Sequence, residues 1–121
     1  VKLIFSSDAL FESGHAGVKV SAYQTIKKMK KIIKKYPASK ILITGHTDNV
    51  PPAKGDRDNF QLSKARADAV KFYLVNMMGI KEDRIETEGD GDMYPVASNG
   101  TARGREKNRR VEIIIRNTVY K

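Results

Sequence analysis

The 121-residue chain has no Cys and no Trp. Without thiols there is no disulfide framework, no thiolate nucleophile, and no zinc–thiolate or iron–sulfur centre. A chain free of thiols also suits an oxidising compartment. No apolar run approaches the ~20 residues needed to span a bilayer. The chain opens on Val1 without a charged-then-apolar leader, so it reads as a mature product or an excised domain.

Catalytic signatures are equally sparse. There is no G-x-S-x-G elbow, and the only His residues are His15 and His46, so a Ser-His-Asp arrangement would have to recruit His46 with Asp48 from a single loop. Asp90-Gly91-Asp92 starts like a calcium loop, but Tyr94-Pro95 stands where another oxygen ligand and a Gly belong. Gly89-x-Gly91 lacks the third Gly of a dinucleotide fingerprint, and there is no Walker sequence. These stretches read as turns, His46 reads as a loop His hydrogen-bonded in place, and no metal or other cofactor is expected.

What is present suffices for one domain, 1–121, around one core. The chain is 40% apolar and 31% charged. At this length folding buries roughly two-thirds of the surface that the unfolded chain exposes. The net charge of +9 is local, because residues 27–40 hold seven Lys and no acid. Ala22, Ile26, Met29, Ile33 and Tyr36 recur at helical spacing within Val18 to Tyr36, and most of the Lys fall off that stripe. A solvated helix back accounts for them, because no Arg or free aromatic is interleaved as a base-stacking surface would require. The alternative is polyanion or nucleic-acid binding through residues 27–40.

The remaining elements follow from pattern. Val1 to Phe5 is a β-prone run, followed by a polar stretch, Ser6 to Gly17, that carries Leu10 and Phe11. Pro37 stops the first helix. Lys40 to Thr44 is apolar without alternation, which predicts a strand buried on both faces. Residues Gly45 to Asp58 form a loop. Leu62, Ala65, Ala69, Tyr73 and Met77 mark a second helix ending at Gly79. Arg84 to Glu88 is a short strand, Gly89 to Asn108 a long connection, and Arg110 to Arg116 a last apolar strand. The order β-α-β-α-β-β predicts an α/β sandwich (α+β), with two main helices on one face of the sheet. The two long loops are where function is expected.

One constellation could bind a ligand. Thr47 and Asp48 follow a buried strand, at the edge where α/β folds present ligand-contacting groups. Asn59 and Arg66 lie in the first turns of the next helix, and Arg66, four after Leu62, belongs on its inward stripe. A guanidinium facing a core needs a partner. Either Arg66 pairs with Asp48 and closes the loop, or the two line a groove and take opposite charges of a zwitterion. Arg suits a carboxylate and Asp an ammonium, so together they would read an amino-acid head group.

The runs ILITGHTDNVPP, NFQLSKARADAV and GDGDMYPVASNGTARGREKNRRVEI resemble the OmpA-like C-terminal domain, the peptidoglycan-binding module of outer-membrane protein A, peptidoglycan-associated lipoproteins and flagellar stator B subunits. The resemblance covers about residues 8 to 116. It implies a mixed four-stranded sheet and a binder without enzymatic activity, attached non-covalently to the cell wall through the peptidoglycan stem peptide. By the same resemblance Asp48 and Arg66 clamp the amino and carboxylate ends of meso-diaminopimelate. Asn59 and Leu62 line the same groove, Thr47 adjoins it, and Phe11 and Glu12 match a Phe-acid pair that closes it, although the acid is usually Asp. Arg109 and Arg110 match N-R-R-V-E and are expected to brace the long loop against the last strand. The V-P-P-A-K-G-D-R-D stretch from Val50, longer than in short lipoprotein members, looks more like the stator-type or long-loop branch. The implied location is the periplasm, attached to the outer or inner membrane through a segment absent from this chain. A homodimer is possible in this family, and no nucleic-acid partner is expected.

Overall fold

The computed structural model describes residues 1–52 and 58–116. Four strands form one mixed sheet: β1 (Lys2–Ser6), β2 (Lys40–His46), β3 (Ile85–Gly89) and β4 (Arg110–Arg116), in the order β1-β4-β2-β3. β2 runs parallel to β3 and antiparallel to β4, and β1 is antiparallel to β4. The central pair are the strands whose apolar runs do not alternate. In β2, six consecutive residues from Ile41 to His46 are buried, as the missing alternation predicts for a strand covered on both faces. The strand outlasts its expected end at Thr44, because Gly45 continues the pairing with both neighbours and His46 still pairs with Arg110. His46 is therefore a strand residue, not a loop residue.

Four helices join the strands: α1 (Ser7–Leu10), α2 (Tyr23–Ile33), α3 (Asn59–Asn76) and α4 (Ala102–Asn108). In α2, Ile26, Met29 and Ile33 enter the core, with Ala22 just ahead in a 3₁₀ turn. The helix stops before Tyr36, which is 38% exposed and not part of the stripe. Asp58 opens α3 with a capping box, its carboxylate accepting from the Gln61 backbone N–H at 2.7 Å while Gln61 Oε1 accepts from the Asp58 N–H.

The inward face of α3 differs from the expected one. It is Leu62, Ser63, Arg66, Ala67, Val70 and Leu74; Met77 is exposed, and Ala65, Ala69 and Tyr73 are only half-buried. The cause is close approach to the sheet. A Cβ on Gly45 would overlap the Ser63 carbonyl, and one on Gly89 would overlap the Lys64 backbone, so the α3 backbone packs directly on the two glycines. The buried Ser63 hydroxyl accepts from Gly91 N–H at 3.0 Å and donates to the Phe60 carbonyl at 3.0 Å. Val70 and Leu74 pack with Ile26, Met29 and Ile33 of α2 against Ile41, Ile43, Val111 and Ile113 in one core cluster.

Two stretches expected to lack structure contain short helices. The polar stretch after β1 holds α1, which sends Leu10 and Phe11 fully into the core. The connection before β4 ends in α4, whose first turn is capped by the Thr101 hydroxyl. The rest of that connection winds around Asn108, which is fully buried. Its carboxamide oxygen accepts from Val96 and Ala97 N–H at 2.7 and 2.9 Å, and its nitrogen donates to Ala97 O and Asn99 Oδ1. Arg110 braces the same loop to the last strand, as expected, bonding Tyr94 O at 2.9 Å and Glu112 at 2.6 Å.

Candidate functional site

A cleft of about 630 Å³ opens at the carboxyl end of β2. Three elements fix its walls. Strand β2 ends at His46 and delivers Thr47 and Asp48, with Thr47 N–H tied to Gly91 O at 2.9 Å. The capped first two turns of α3 supply Asn59, Leu62 and Arg66. The segment after α1 supplies Phe11 and Glu12, held by an isolated bridge between Phe11 and Val18. All seven residues singled out in the sequence thus line one cleft. Residues 53–57, in the middle of the long loop, lie outside the described residues.

Asp48 is 7% exposed. Its Oδ1 accepts from Val50 N–H at 3.0 Å, its Oδ2 from Arg109 Nη1 at 2.7 Å, and its carbonyl from Asn59 Nδ2 at 3.3 Å. A carboxylate has about four lone-pair sites, so two remain for a further donor. Arg66 is 5% exposed. It does not pair with Asp48. Its Nε donates to His15 O at 2.9 Å and its Nη2 to Glu12 O at 3.4 Å, while its guanidinium lies 5.1 Å from the centre of the Phe11 ring. Those carbonyls and the ring orient the cation without neutralising it. Burial holds its pKa below the usual arginine value; Asp8 opposes that shift, Arg109 adds to it, and Asp48 opposes it. The closed-pair alternative is thereby corrected: both groups border the cleft, and Arg66 has no carboxylate partner among the described residues.

Arg109 has a different place from the one expected of it. It lies in the cleft wall, donating from Nε and Nη2 to both oxygens of Asp8 at 3.0 and 2.9 Å, and from Nη1 to Asp48. Its hydrogen bond to Asp8 is the main reason its pKa is raised, and the same bond holds the Asp8 carboxyl below its ordinary value. Asp8 and Arg109 are site residues that spacing did not reveal, because 101 positions separate them. Lys19 and Arg105 also line the cleft.

Beside the site, His46 is sealed on the other sheet face. Its Nε2 shares a 2.9 Å hydrogen bond with Thr44 Oγ1, and Asp90 and Glu112 lie 3.8 and 3.9 Å away. Burial pushes its pKa down to about 4, with Arg110 adding to the shift and Glu112 opposing it. Among the described residues no group of three or more acidic or imidazole side chains could hold a metal. What the cleft offers is a fixed anion and a fixed, unneutralised cation, an arrangement suited to holding a zwitterion.

Comparison with known proteins bears on the family and the fold. The OmpA family model matches residues 10–109. The chain is 41% identical over 105 residues to outer membrane porin F of Pseudomonas aeruginosa, covering 87% of this chain and 29% of the porin. It is 40% identical over 93 residues to the peptidoglycan-binding protein ArfA of Mycobacterium tuberculosis, covering 77% of this chain and 27% of ArfA. The chain therefore spans less than a third of either relative. Among solved structures, the cell wall anchor of the T6SS from Pseudomonas aeruginosa superposes with a TM-score of 0.88 at 35% identity, covering 96% of this chain and 80% of that one. The periplasmic domain of Helicobacter pylori MotB gives 0.88 at 27% identity, covering 98% and 76%. With most of its length matched by the family model and its mixed sheet shared with solved relatives, the chain belongs to the OmpA family.

Proposed function

We propose that this chain is a non-covalent peptidoglycan-binding domain of a longer envelope protein. It anchors that protein to the cell wall from the periplasm by gripping diaminopimelate in the stem peptide. The observation that carries the reading is the cleft in which Asp48 and Arg66 are both buried, both oriented by other groups and not paired with each other. Asp48 takes the ammonium group and Arg66 the carboxylate at the free end of diaminopimelate. Asn59 and Thr47 fix the loop that holds Asp48, Thr47 through its hydroxyl on Asp48 O at 2.8 Å. Phe11 and Leu62 give the apolar walls for the methylene chain, and Glu12 stands at the rim. Such a site holds its ligand by charge and shape and carries out no bond-making step. The names of ArfA and of the T6SS anchor support the reading at the level of the family.

The test is a pull-down with purified diaminopimelate-containing sacculi. The Asp48→Ala, Arg66→Ala double variant should lose binding by well over tenfold, since each half of a desolvated charge clamp is worth ~2 to 5 kcal/mol. Retained binding by a folded double variant would refute the proposal.

A further inference from the structure

The charges in the cleft do not all serve that clamp. Asp8, Arg109 and Asp48 form one connected group with a single net negative charge, which suits an ammonium. Three other cations line the same cleft, and among the described residues none is paired with a carboxylate. Arg66 is tied to backbone carbonyls, Lys19 Nζ to Asp8 O at 2.9 Å, and Arg105 Nη1 to Asn99 O at 2.9 Å. A carbonyl bond orients a cation and leaves its charge in place. Arg105 lies in α4 and Arg109 caps its C-terminus, the Arg109 N–H donating to Arg105 O at 3.1 Å, and both line the cleft. Lys19 lies close enough to Asp8 to lower its pKa, as does Arg66. One diaminopimelate end uses the Asp48 group and Arg66, which leaves Lys19 and Arg105 with no carboxylate bonded to either among the described residues. Among the described residues, Glu12 is the one acid lining the cleft besides Asp8 and Asp48.

We infer that Lys19 and Arg105 form a second anion subsite, so the preferred ligand carries a second free carboxylate beside the diaminopimelate. In a stem peptide the residue preceding diaminopimelate is a γ-linked glutamate whose α-carboxylate is free unless amidated. The subsite therefore selects the free-acid stem over the amidated one. The inference rests on the clamp proposed above and adds a determinant of ligand choice.

Titration calorimetry on the wild-type domain, comparing L-Ala-γ-D-Glu-diaminopimelate with the same tripeptide amidated on the glutamate, tests it without altering the protein. The free acid should bind about five- to tenfold more tightly, as expected for a half-exposed charge-assisted contact. The Lys19→Gln, Arg105→Gln variant should bind both peptides at the weaker value. Its fold should persist, since both side chains are half-buried and make only one backbone bond each. Equal affinities for the two peptides on the wild type would overturn the subsite and leave the clamp standing. Failure of both peptides to bind would overturn the clamp and the subsite together.

Discussion

At the scale of single residues, the site depends on a cation whose task is to hold anions. Arg109 joins Asp8 and Asp48, and its own charge is spent on them. Arg109→Gln should lower stability by about 2 kcal/mol, the usual worth of hydrogen bonds to charged groups, measured by urea denaturation at pH 7. Asp8 has a folded pKa below its unfolded value, so its pairing stabilises the fold above the unfolded carboxylate range and is lost as pH falls through the folded value. The variant should lose that acid-side contribution. His46 acts in a separate window. Its folded pKa of about 4 lies below the ordinary 6.5, so the unfolded chain binds more protons between them, and stability falls as pH drops from about 6.5 to about 4. The full effect is on the order of 3 kcal/mol. Denaturant midpoints at pH 7 and pH 5 should therefore differ for the wild type and converge in His46→Gln.

At the scale of elements, the glycines of β2 and β3 set where α3 lies, and α3 carries Arg66. Gly45→Ala forces the helix backbone away from the strand and should cost about 1 to 3 kcal/mol, read from the urea midpoint. It should also weaken sacculus binding, because it separates the strand that delivers Asp48 from the helix that carries Arg66. Strands β2 and β4 and the two long helices were legible in the sequence from their apolar patterns, while β1 and β3 were read from short β-prone runs, β3 holding the single apolar residue Ile85. The convergence of Asp48 and Arg66 was legible too, from a buried strand's end and an i+4 step from Leu62. The rest of the inward face of α3 was not, since Ser63 reads as polar while Ala65 and Ala69, which are only half-buried, read as apolar. Burial there follows the close approach at Gly45, which hydropathy does not encode. Helices α1 and α4 are four and seven residues long, too short for a period to register, and α4 carries almost no apolar side chain. Arg109 escaped for a topological reason, its partner in α1 being at the other end of the chain.

At the scale of the molecule, the excess positive charge sits on α2 and the turn that follows it, where Lys27, Lys28, Lys31, Lys34 and Lys35 are exposed and outside the cleft lining. Wall binding through the cleft should not need them. A Lys27→Gln, Lys31→Gln, Lys34→Gln variant should hold sacculi within about twofold of wild type at 150 mM salt; a collapse of binding would favour the polyanion reading instead. The central claim is met most directly by an amide NMR titration of the domain with two stem tripeptides, one containing diaminopimelate and one containing lysine, which lacks the second carboxylate. The account predicts saturable shifts at residues 47, 48 and 59–66 with the diaminopimelate peptide, binding at least tenfold weaker with the lysine peptide, and no shifts on α2. Equal response to both peptides, or shifts confined to α2, would contradict it.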